Sequence, residues 1–98
     1  MTPDTAADLH TEVRRLRIRI AGLSGPELDA GRRAAIRSAL AALSALSAAG
    51  RPVPVLADRV LGDQLVVLLQ DCLPEYGAAP AVTARALQIA VELRRHLA

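Results

Sequence analysis

The chain has 98 residues, 52% of them apolar, a net charge of +2, one cysteine and one tyrosine, and neither tryptophan nor phenylalanine. That length fits a single domain over residues 1–98, large enough for a core but near the small end of the usual range. The composition excludes a sheet, because β-branched and aromatic residues are too sparse and too unalternated; one thiol excludes an internal disulfide and fits a reducing cytoplasm.

The first residues lack the apolar stretch of a signal peptide, and no run approaches the length of a membrane span, so a soluble protein is expected. All twelve basic residues are arginine. With alanine so abundant, this resembles the codon bias of a GC-rich bacterial genome. The small net charge says little about partners.

Prolines set the punctuation. Pro3, Pro26, Pro54 and Pro80 each stand where a helix could begin, since the missing N–H would be unpaired at the first helical position anyway. Pro74 would stop the third helix, and Gly25, Gly50 and Gly77 mark turns. Four helices are predicted over 4–22, 26–49, 54–73 and 80–97. Short loops favour antiparallel sequential neighbours, so the expected fold is an all-α, antiparallel up-down four-helix bundle.

Helix one carries Ala6, Leu9, Val13, Leu16, Ile20 and Leu23 at alternating spacings of three and four, a seam for packing. Its outer face holds Arg14, Arg15, Arg17 and Arg19, with Ile18 alone among them, and Glu12 is placed to pair with Arg15. Helix two starts at Ser24 or Gly25, with Glu27 suited to the positive end of the helix dipole. Its seam is Leu28, Ile36, Leu40 and Leu43, while Ala34, Ala35, Ala41, Ala42 and Ala45 leave a small surface that a neighbour could approach closely. Asp29 is in reach of Arg32 and Arg33.

Residues 55–73, within the third predicted helix, form the most apolar segment. At 3.6 residues per turn, Leu61, Leu65, Leu68, Leu69, Cys72 and Leu73 share a broad arc. A second, narrower stripe of Leu56, Val60 and Val67 lies between two polar strips, Arg59, Asp63 and Gln70 on one edge and Gln64 and Asp71 on the other. A helix apolar on two sides is covered on two sides, and so short a chain has few helices to do it. The stripe is therefore read as an interface with a second copy or another helical protein, the polar strips forming its rim. A kink at Gly62-Asp63 is an alternative, since Gly weakens a helix interior and Asp can start a new one. Helix four has Val82, Ala86, Leu87, Ile89, Ala90, Leu93 and Leu97 on one face and Arg85, Gln88, Glu92, Arg95 and His96 on the other.

Chemistry finds little support. Glu92 and His96 are one turn apart, but no further metal ligands stand at motif spacing. Cys72 projects with leucines, where thiols are inert. The serines lack a His and Asp arrangement, and Gly22 and Gly25 lie in an interhelical turn rather than a phosphate loop. No catalytic residue, cofactor or metal is expected. The sequence points to a small interaction module, a homodimer in the first instance. The alternative is a nucleic-acid-associated regulator, in which Arg14, Arg15, Arg17 and Arg19 of helix one, joined by Arg32, Arg33 and Arg37 of helix two, contact phosphates.

Overall fold

Helix α1 (Thr5–Ala21) begins where Asp4 accepts a hydrogen bond from the backbone N–H of Ala7 at 3.0 Å, satisfying one of the free donors of the first turn. The computed structural model describes residues 4–46, 54 and 57–98. Its further elements are a single helical turn α2 (Gly25–Glu27), a wide turn (Leu28–Arg32), α3 (Arg33–Leu46), a tight turn (Asp58–Val60), α4 (Leu61–Gln70), a second tight turn (Pro74–Tyr76) and α5 (Pro80–Leu97). The fold is all-α, with four principal helices and no strand among the described residues.

Ser24 starts the second helix as expected. Its hydroxyl accepts from the Glu27 backbone N–H, and the Glu27 carboxylate accepts in return from the Ser24 backbone N–H and hydroxyl. These bonds from Ser24 hold the Glu27 carboxyl below its ordinary range. This capping box closes both orphan donors. The continuous helix over 26–49 is corrected. Ala30 and Gly31 leave helical geometry, Gly31 at φ 101°, a conformation that residues with a Cβ rarely adopt. The chain thus turns one short segment into a differently directed α3, whose last described residue is Leu46.

Helix three is also corrected. Ala57 is extended, with ψ 151°, so the helix is not continuous over 54–73, and regular α-geometry covers Leu61–Gln70. Gly62-Asp63 is not a kink. The irregularity falls earlier, at Val60 (φ −104°, ψ 0°), and α4 continues through both residues. The tight turn has already redirected the chain there, and Gly62 lies against α1, where a Cβ would meet Ile20 Cγ2 at an ordinary 3.6 Å. After α4, Gly77 at φ 85° ends the second tight turn. The fourth helix has the expected bounds.

The main packing pairs are α1 with α5, α1 with α4, α3 with α5, and α3 with α4. Around the bundle the order is α1, α5, α3, α4. Of the expected sequential neighbours, α3 and α4 pack together, whereas α1 and α3 sit across from one another. The redirection at Gly31 accounts for this, because α3 need not fold back along α1. The core draws Leu9, Leu16 and Ile20 from α1, Ile36, Leu40 and Leu43 from α3, Leu61, Leu65 and Leu69 from α4, and Ala86, Ala90, Leu93 and Leu97 from α5, all buried.

Polar contacts also tie these helices. Thr83, 2% exposed, donates its hydroxyl to the Cys72 carbonyl at 2.6 Å. Arg19 Nε donates to the Leu97 carbonyl at 2.7 Å, satisfying an acceptor at the end of α5. Arg33 holds Asp58 through two bonds of 2.6 and 2.7 Å and Asp29 through one of 2.6 Å, which clamps the turn before α4 onto the start of α3.

Candidate functional site

On α4 and the turn before it, the residues turned away from the core are Val60, Asp63, Gln64, Val67 and Gln70, followed by Asp71. Val67 is 49% exposed, while Leu61, Leu65, Val66, Leu68 and Leu69 are buried. Val60, Gln64, Gln70 and Asp71 are half-buried, and Arg59 and Asp63 are exposed. Leu56 lies outside the described residues. Among the described residues the apolar strip on this face consists of two valines. Its polar surroundings include a self-contact, the Gln64 side-chain amide donating to the Pro54 carbonyl at 3.1 Å.

Beside this face, α1 and α4 enclose a cavity of about 520 Å³, walled by Arg17, Ile20, Leu28, Arg59, Gly62 and Asp63 among others. Its lining combines apolar side chains with charges of both signs, Arg17 and Arg59 against Asp58 and Asp63. Arg33 holds the nearby Asp58 carboxyl below its ordinary range, so that carboxylate is already engaged. A groove of the same size, about 520 Å³, runs between α3 and α5, floored by Ala35, Ala39, Ala42, Ile89 and Leu93. The alanine-rich surface of helix two foreshadowed close packing there, but the groove itself needs the α3–α5 pairing, which local sequence does not specify.

The arginines of α1 separate into two groups. Arg15 donates to Glu12 at 3.4 Å and Arg19 to Leu97, while Arg14 and Arg17 are exposed and take part in no ion pair among the described residues. Arg32 lies close to Glu27, donating to its carbonyl at 3.5 Å, and both Arg19 and Arg32 act on the Glu27 carboxylate. Arg33 is committed to Asp29 and Asp58, and Arg37 also has a partner.

Glu12 pairs with Arg15 as expected, and reaches further than the sequence indicated. It is 5% exposed, accepts from Arg94 Nε at 2.6 Å and from Arg15 at 3.4 Å, and so joins α1 to α5. The signal was present in its spacing from Leu9 and Leu16, three and four residues, which puts it on the buried arc. Cys72 is buried, and burial, with the Asp71 charge beside it, pushes its thiol up, away from the thiolate a nucleophile needs. Among the described residues no three His, Cys, Asp or Glu side chains gather to hold a metal, and no helix is long and apolar enough to cross a membrane. His10 and Glu75 form an exposed contact of 2.9 Å between α1 and the turn after α4.

No protein-family model matches the chain, and neither a curated protein nor a solved structure matches it significantly.

Proposed function

We propose that the protein is a small helical interaction module that pairs with a second copy of itself through the outer face of α4. Its role is binding rather than catalysis, and its single buried thiol suits the reducing cytoplasm. The observation that carries this reading is Val67, half exposed on a helix whose other large apolar side chains are buried. Val60 and Val67 form the apolar centre, and Arg59, Asp63, Gln64, Gln70 and Asp71 surround it as the rim. Burying a valine contributes roughly 1.5–3 kcal/mol, and a two-fold axis doubles each contribution. Replacing Val60 and Val67 by Glu introduces four carboxylates into the joint. The expected result is a halved mass in light scattering at concentrations where the parent is a dimer. An unchanged mass removes this face as the interface.

A second reading is favoured by the exposure of Arg14 and Arg17 on α1, which leaves two guanidinium groups able to reach phosphates. It predicts duplex DNA binding at low salt that declines as salt rises and with Arg14→Ala or Arg17→Ala. No binding at low salt disposes of it.

A further inference from the structure

We propose that the cavity between α1 and α4 is a binding site for a free α-amino acid with an apolar side chain. Arg17 and Arg59 take the carboxylate, Asp63 takes the ammonium, and Ile20 and Leu28 pack against the side chain.

The cavity measures about 520 Å³, within the range of small-molecule sites, about 300–1,000 Å³. Ile20 and Leu28 are buried and give it an apolar wall. Gly62 on α4 also borders it and contributes no side chain to fill it.

The charged residues around this wall divide sharply. Asp58 is taken up by Arg33 through two bonds of 2.6 and 2.7 Å. Arg17, Arg59 and Asp63 are exposed and enter no ion pair among the described residues. Arg59 and Asp63 stand four apart, a spacing at which opposite charges pair on a continuous helix. They stay apart here because Arg59 precedes Val60, whose φ of −104° and ψ of 0° break the helical phase.

Two cations and one anion therefore border a single cavity without neutralising one another. A ligand with only a carboxylate is opposed by Asp63, and one with only an ammonium is opposed by two guanidinium groups. A zwitterion answers both signs. Charge-assisted hydrogen bonds from guanidinium to carboxylate are the stronger kind, and two arginines on separate elements offer one to each oxygen. The apolar wall then separates a leucine-like side chain from glycine.

The test is a titration of isotope-labelled protein followed by NMR, at low ionic strength and at a protein concentration where the chain is monomeric. That condition matters because Arg59 and Asp63 also belong to the rim of the α4 face; a chain that never dimerises removes that reading and leaves this one standing. L-Leucine is expected to give saturable shifts at the amides of Ile20, Gly62 and Asp63. Isopentylamine, which lacks the carboxylate, 4-methylpentanoate, which lacks the ammonium, and glycine are each expected to bind about tenfold more weakly. Asp63→Asn should abolish the advantage of leucine over 4-methylpentanoate, and Arg59→Gln its advantage over isopentylamine. Both positions are exposed, so neither change disturbs the core. No saturable shift with leucine, equal binding of either single-charge analogue, or variants that keep the parental preference overturns the proposal.

Discussion

Leu69→Ala is expected to remove about 3–5 kcal/mol of stability, within the range found for fully buried leucines. Leu69 has no exposed surface and sits on α4, which packs against both α1 and α3. Truncation therefore opens a cavity that no single helix can close by moving, because a shift toward one neighbour uncovers the other. Total stability for a domain of this kind is about 5–15 kcal/mol, so the substitution consumes a large part of it. In urea unfolding the midpoint should fall while the slope stays constant, the sign that stability and not unfolded-state compactness has changed. Val67→Ala, on the same helix but half exposed in the single chain, should stay within about 0.5 kcal/mol when both are measured at concentrations where the protein is monomeric. If Leu69→Ala cost no more than Val67→Ala, the described core would not be the one holding the helices together.

That contrast between neighbouring α4 positions bears on what can be read from sequence. The seams of α1 and α5 were legible because each is a continuous run at three- and four-residue spacing, and buried Leu9, Leu16, Ala86 and Leu93 lie where the pattern puts them. The capping box at Ser24 was legible for the same local reason. The break at Gly31 left a trace. Leu28 and Ile36 belong to one seam, yet the position between them that should complete it is Arg32, and Gly31 adjoins it. Pro54 misled. Proline is equally compatible with the first turn of a helix and with extended chain, and the extended conformation at Ala57 decided the matter. The order of helices around the bundle, and with it the groove between α3 and α5, depends on pairings distant in sequence that no local pattern encodes.

Glu12→Lys is expected to be the most damaging single substitution on α1, costing about 3–5 kcal/mol as an uncompensated buried charge. The wild-type carboxylate is buried and accepts from Arg94 and Arg15, and the Arg94 guanidinium is driven further toward its charged form by that bond. A lysine there sets three cations together with no anion between them. Glu12→Leu should behave in the opposite way. Removing the carboxylate also removes the need to desolvate it, the Arg94 side chain is 36% exposed and can return to water, and leucine extends the seam of Leu9, Val13 and Leu16. Replacing a buried ion pair by an apolar group of similar size is often neutral or stabilising. Thermal unfolding should therefore rank Leu at or above the parent and Lys far below. Were Leu to fall as far as Lys, Glu12 would be required for the α1–α5 packing itself, as the contact that selects this pairing of helices over others.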